Sequence, residues 1–307
     1  MLVRVLGSAA GGGFPQWNCA CRNCSDVREG VPGLAARSQS SLAVSADGLN
    51  WCLLNASPDL RAQIGTFAAL APSVEYGARF SPLKSVILTN ADVDHVAGLL
   101  NLREGQPFRL YASARILAAV ATNPIFGVLA DGVVTRTVIE NGMRFEPAGC
   151  PGLAVEMFSV PGKVALYLED HAAGANFGSG EGDVVGLKLM DRATGAFACY
   201  IPGCAEVNPQ LIDHIEGSAA LFFDGTLYTD DEMIAQGLSP KTGRRMGHIS
   251  ISGEEGSMTR LAGVDAGRRI FIHLNNSNPV LREDSPERQS VESAGWEVAY
   301  DGMELSL

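Results

Sequence analysis

Three short apolar runs in this chain each end on a residue that can bind a metal or move a proton. Residues 85–89 (SVILT) lead into Asn90-Ala91-Asp92-Val93-Asp94-His95, residues 219–223 (AALFF) into Asp224, and residues 268–272 (RRIFI) into His273. Apolar runs of this length, bounded by polar or glycine positions, read as buried strands. A side chain just past the C-terminal end of such a strand is rigidly held and still exposed, as a catalytic metal requires. Taken singly, each is better read as a helix cap or a satisfied histidine. If the three strands share a sheet edge, the side chains converge on one site.

The rest of the chain suits that arrangement. Residues 2–6 read as a strand entering a glycine loop, and residues 40–45 and 51–54 as a hairpin turning at Ala46-Asp47-Gly48. Residues 112–122 are helical in composition, residues 96–102 open a second helix, and residues 253–261 form a third. Residues 153–159, 164–168, 184–189 and 196–201 read as successive strands, with a glycine-rich loop over 172–182. No disordered linker separates the halves, approximately 1–150 and 151–307. The expectation is one α/β domain of two stacked sheets with helices outside. At 46% hydrophobic and 19% charged residues, a sizeable core can be buried.

A net charge of −11 argues against nucleic acid as a partner. The one basic cluster, Lys241, Arg244 and Arg245, is expected to be a solvated loop. The start lacks a basic region followed by a long apolar stretch, so a cytoplasmic location is expected. The apolar segment 114–134 is broken by Asn123, Pro124 and Asp131, so membrane insertion is not expected.

Seven cysteines, an odd number, argue for a reduced compartment rather than a disulfide framework. Cys52, Cys150, Cys199 and Cys204 are scattered and are expected to fill core space, although Cys204 follows Pro202-Gly203 at a strand end. Cys19, Cys21 and Cys24 form a C-x-C-x-x-C cluster. Thiolates this close repel one another, and a divalent metal removes that cost, so the cluster predicts a structural zinc needing a fourth ligand from elsewhere.

Thr89-Asn90-Ala91-Asp92-Val93-Asp94-His95 resembles the T-H-x-H-x-D-H signature of the metallo-β-lactamase superfamily, with Asn90 and Asp92 where two histidines are expected. Val160-Pro161-Gly162-Lys163 resembles its P-G-H motif, with Lys163 for histidine. Tyr200-Ile201-Pro202-Gly203-Cys204 resembles Y-x-G-D, with Cys204 for the bridging aspartate. Gly247-His248 and Ile272-His273 resemble the last histidine motifs of the tRNA 3′-processing nuclease branch. The start LGSAAGGGFPQWNCACRNC and the end WEVAYDGMEL are similar to the phosphonate-pathway cyclic phosphodiesterase. With HLNNSNP at 273–279, the whole pattern resembles the PqqB family of pyrroloquinoline quinone (PQQ) biosynthesis.

The resemblance implies a four-layer αββα sandwich. Its departures disfavour a two-zinc hydrolase, because the first metal position would be built from Asn90, Asp92 and Lys163. What remains is a one-metal set of Asp92, Asp94, His95 and His273. Histidine and carboxylate donors suit iron(II), although zinc or copper suits them too. Lys163 would offset the charge of Asp92, and Asp224 would orient His248 or His273. His248 would bind substrate or move a proton, or else cap the following helix. Lys163, His248 and Asn275 are the expected substrate contacts. The fourth zinc ligand stays open among Asn276, which stands where the phosphodiesterase has a histidine, His273 and water. His171 and His214 are expected at the surface. The function implied is oxygen-dependent hydroxylation of the tyrosine ring of a cross-linked Glu–Tyr precursor, alongside other pathway proteins. A non-enzymatic carrier of PQQ or its precursor and a residual phosphodiesterase are the alternatives.

Overall fold

The computed structural model describes residues 1–307. One sheet takes β1 (Leu2–Gly7), β2 (Ser41–Ser45), β3 (Trp51–Leu54), β4 (Leu83–Ile87), β5 (Phe108–Ala112) and β6 (Val134–Val138). The second takes β7 (Arg144–Phe145), β8 (Leu153–Ser159), β9 (Val185–Asp191), β10 (Phe197–Ile201), β11 (Ser218–Asp224), β12 (Ala266–Ile272) and β13 (Trp296–Val298). The C-terminal strand β14 (Glu304–Ser306) returns to pair antiparallel with β1. Each sheet is therefore seven-stranded and mixed, with β3 to β6 and β10 to β13 running parallel. Helices cover the outer faces, which makes the expected αββα sandwich.

The second sheet shows how period-two patterning builds the layers. Ala220, Phe222, Ile270 and Ile272 pack inward with Val5, Leu42 and Leu54 of the first sheet. Their neighbours Leu221, Phe223 and Phe271 face outward beneath Leu211, Ile215 and Val291 of two covering helices. Both faces are buried over Ala220–Phe223 and Ile270–Ile272, so these stretches read as continuous apolar runs. Each large side chain removed from water contributes about 1.5–3 kcal/mol.

The parallel strands bring their C-terminal ends to one edge of the sandwich. β4 delivers residues 88–95 there, β11 ends in Asp224, and β12 is followed by His273. Val185 N donates to Thr89 O at 2.8 Å, and Asn55 Nδ2 reaches Tyr200 Oη at 3.3 Å, so the two sheets are joined at this edge.

Several local expectations need correction. Residues 164–168 form no strand; a single 3-10 turn, Leu166–Leu168, follows the Pro161-Gly162 break with its apolar side chains exposed. Only Val93–Val96 is α-helical near residue 96, and the chain continues as 3-10 over Ala97–Leu102. Of residues 253–261, only Ser257–Arg260 is helical. His214 is half-buried, its ring stacked on Phe158 at 4.2 Å, whereas His171 is exposed. No helix is long and apolar enough to cross a membrane.

Candidate functional site

Asp94, His95 and His273 bring one ligand atom each within 4.8 Å of one another. His273 Nε2 lies 3.0 Å from Asp94 Oδ2, and His95 Nε2 lies 3.9 Å from the same oxygen. His95 Nε2 is buried and has no hydrogen-bond partner. A buried polar atom without a partner is costly, and a metal between these three groups would satisfy it.

The surrounding hydrogen bonds assign the tautomers. Asn90 Oδ1 accepts from Asp92 N at 3.1 Å and from His95 Nδ1 at 2.6 Å, while Asn90 Nδ2 donates to Asp92 Oδ2 at 2.8 Å. An amide oxygen can only accept, so His95 carries its proton on Nδ1 and Nε2 is free. Thr226 Oγ1 donates to Asp224 Oδ1 at 2.7 Å and therefore accepts from His273 Nδ1 at 2.8 Å. His273 Nε2 faces Asp94 Oδ2 at 3.0 Å and donates to that carboxylate when no metal stands between them. His273 adopts a left-handed backbone, φ 62°, which is strained for a non-glycine residue and turns the chain sharply off β12.

Burial pushes His95 down to about 4, against the pull of Asp94, so at neutral pH it is the uncharged imidazole that binds metals. Burial would raise Asp94, but His95 and then His273 hold it well below the usual carboxylate range. Burial and the Asp94 charge push Asp92 up to about 6. The three-residue cluster does not include Asp92, although it lines the same cavity, its Oδ2 held by Asn90.

That cavity, about 340 Å³, is lined by Asp92, Asp94, Lys163, Lys241, His248, His273 and Asn275, with Val164, Leu166 and Met246 as its apolar surface. A larger hollow of about 480 Å³ lies beside Arg144 and Arg192, but no histidine or cysteine lines it. His248 Nδ1 donates to Asp224 Oδ2 at 2.7 Å, which leaves Nε2 for the cavity. Burial opposes its charge, but Asp224, with Asp92 and Asp94 beyond, lifts His248 above the ordinary histidine value. Asp224 therefore orients His248 directly and His273 through Thr226. Asn275 Nδ2 is held by Ser277 Oγ at 2.5 Å and Met233 Sδ at 3.1 Å.

Lys163 favours the charged form of Asp92, as a counter-charge would, and it is also paired elsewhere. Its ammonium pairs with Glu169, which also takes Arg245 at 2.8 and 3.0 Å. Arg245 and then Lys163 draw the Glu169 carboxyl down to about 2. The basic cluster is not one solvated loop: Arg245 also lies over the Phe177 ring at 3.9 Å, Lys241 lines the cavity, and Arg244 is exposed. Cys204 is fully buried, with Sγ donating to Glu206 O at 3.2 Å, and Cys52, Cys150 and Cys199 are buried as well.

The sequence reading missed Thr226, Glu169, Lys241 and the orienting role of Asn90. Only Thr226 carried a signal, two residues past the strand-ending Asp224.

The three clustered cysteines also meet, their sulfurs within 4.8 Å of one another. Asn276 closes the group, its Nδ2 3.1, 3.6 and 3.3 Å from the sulfurs of Cys19, Cys21 and Cys24. A tetrahedral zinc with three sulfurs and one oxygen has ligand–ligand edges of about 3.6 Å. Rotating the amide puts Oδ1 where Nδ2 stands, so the four residues fit zinc. Asn23 Nδ2 donates to Asn276 O at 3.2 Å and Asn278 O at 3.0 Å, which clamps this segment to the cysteine loop.

Residues 50–274 match the model of the β-lactamase superfamily domain. The chain is 54% identical to coenzyme PQQ synthesis protein B of Methylorubrum populi over 307 residues, all of both chains. It is 48% identical to the protein of that name from Bradyrhizobium diazoefficiens over 312 residues, 99% of each. A crystal structure of zinc-bound PqqB from Methylobacterium extorquens superposes with a TM-score of 0.95 at 53% identity, covering all of both chains. A diphosphatase of the PhnP family shares the fold, with a TM-score of 0.65 at 18% identity over 100% of this chain and 97% of that one. Full-length identity near one half, on a shared fold, means that this chain belongs to the coenzyme PQQ synthesis protein B family.

Proposed function

We propose that this protein acts in PQQ biosynthesis as an iron-dependent, oxygen-using hydroxylase of the tyrosine ring of a cross-linked Glu–Tyr precursor. The observation that carries the reading is the group formed by Asp94 Oδ2, His95 Nε2 and His273 Nε2, with His95 Nε2 buried and unpartnered. Two imidazoles and one carboxylate match the facial set used by iron(II) oxygenases, which leaves positions open. Iron(II) bound there would supply the electron transfer to dioxygen that the organic side chains cannot. The balance is one oxygen atom into the ring in place of hydrogen and one released as water, with two electrons from an external reductant and two protons.

The chain's own groups do the rest. Asn90 and Thr226 hold the two imidazoles with Nε2 forward. His248, whose protonated form Asp224 favours, can hold or move a proton at Nε2 beside the ring hydroxyl. Asn275 and Lys163 contact the substrate from the cavity wall. In this reading Cys19, Cys21, Cys24 and Asn276 hold a separate structural zinc. The loss of histidine at positions 90 and 163 and of aspartate at 204 weighs against the phosphodiesterase alternative.

The test is to load purified protein with iron(II) without oxygen, leaving its zinc in place. A cross-linked Glu–Tyr compound and a reductant are added, oxygen is admitted, and the product is read by mass. A gain of one oxygen atom, abolished in His273→Ala, is the expected result. An unchanged mass with intact binding of PQQ or its precursor would favour the carrier. Metal-dependent turnover of a chromogenic phosphodiester would favour the hydrolase.

A further inference from the structure

The cations around the cavity are unequally satisfied. Lys163 and Arg245 share the Glu169 carboxylate. Lys241, half-buried in the same wall, has no such partner, and the hydrogen bond at this residue is from its backbone N to Ser239 Oγ at 3.2 Å. A lysine on the cavity wall with no carboxylate partner leaves its ammonium available to pair with an incoming anion. The Lys163, Arg245 and Glu169 group carries one net positive charge, and Lys241 adds a second. Asp92 and Asp94 supply the negative groups of the cavity, and Val164, Leu166 and Met246 its apolar surface. Gly247 sets Lys163 in place: a side chain there would put Cβ 2.9 Å from Lys163 Cβ, so the chain before His248 lies directly against the lysine stem.

We propose that Lys241, together with Lys163, receives a carboxylate of the substrate, so that the cavity selects an acidic aromatic compound held by its anionic group with its ring toward the metal ligands. This rests on the substrate class proposed above. An acidic protein, net charge −11, repels anions at long range, so two local cations are the feature that admits one. Lys241 is thereby a specificity-determining residue, and the polarity of the cavity is matched to a ligand that is anionic in one part and apolar in another.

The test uses the full chain reconstituted with zinc, so that no turnover occurs, and measures binding by calorimetry. The probes are PQQ, the cross-linked Glu–Tyr compound and the methyl esters of each. Lys241→Gln is expected to weaken binding of both acids about tenfold, the usual loss of one charge-assisted contact, while leaving the esters unchanged. The salt dependence of acid binding should flatten, and Lys241→Arg should restore most of the affinity. A Lys241→Gln protein that keeps its preference for acid over ester overturns the proposal, and oxygen gain in that same variant would show the hydroxylase reading surviving it. A parent protein that binds neither acids nor esters overturns both.

Discussion

Position 90 carries an amide where the superfamily pattern carries an imidazole, and that exchange converts a ligand position into an orienting one. Both ends of the Asn90 amide are taken up within the site, where they fix the His95 proton on Nδ1 and hold Asp92 to one side. Removing such a partner costs metal affinity about 10–100-fold. Asn90→Ala should therefore weaken cobalt(II) binding at this site by that factor, read from the visible absorption of the bound ion. Unchanged affinity would mean that packing alone fixes His95. Glu232 carries a different residue-scale prediction. Burial pushes its carboxyl from the ordinary 4.5 up to about 7, although Tyr228 N donates to it at 2.7 Å and Ser277 donates too. Between those pH values the folded chain holds a proton that the unfolded chain releases. The stability from the neutral form is full below pH 4.5 and is lost as pH rises through 7, by about 3 kcal/mol at most. Glu232→Gln, which is never ionised, should remove that loss. Urea unfolding at pH 5 and pH 8 would then differ less in the variant than in the parent, and an equal difference would refute the assignment.

Among the elements, those with a long apolar signal were legible in the sequence, and those without one were not. β11 from Ala219 and β12 from Ile270 were readable because their last residues run apolar up to Asp224 and His273, and the two ends do meet at one edge. Residues 164–168 looked alike by composition, but Val164 and Leu166 line the cavity instead of pairing in a sheet. Cavity wall and core strand have the same composition, so only the absence of a partner strand separates them. Thr226, Glu169 and Lys241 are single polar residues in connections, where no period exists to reveal a partner distant in sequence. Side-chain removal distinguishes the two apolar classes. Phe222→Ala should cost about 3–5 kcal/mol by leaving a cavity between the sheets. Leu166→Ser, on an exposed turn, should stay within about 0.5 kcal/mol. Guanidinium unfolding would check both, and comparable losses would mean that the turn is packed as core.

Across the whole molecule, the segment 273–278 ties two distant parts of the chain into one unit. His273 enters the cavity, Asn275 lines it, Asn276 closes the cysteine cluster, and Asn278 accepts from Asn23 through its carbonyl. Leu274 also pairs with Ala9 beyond β1, so the N-terminal loop and the end of β12 are held together immediately after His273. The left-handed conformation of His273 needs such support, since it costs about 1–3 kcal/mol by itself. A zinc bound by the cysteines and Asn276 would stabilise the folded chain by mass action, about 3 kcal/mol at a hundredfold excess over its Kd, or roughly 4–5 °C in Tm. Cys24→Ser should forfeit that gain in a thermal scan. Because Asn276 lies three residues from His273, the same variant should also bind cobalt(II) more weakly at Asp94, His95 and His273, which lie outside the cysteine cluster. A lower Tm with unchanged cobalt affinity would confine the cysteine site to folding. A fall in both would make zinc occupancy a condition for assembling the reactive site, so that metal loading would have to proceed in order, zinc first.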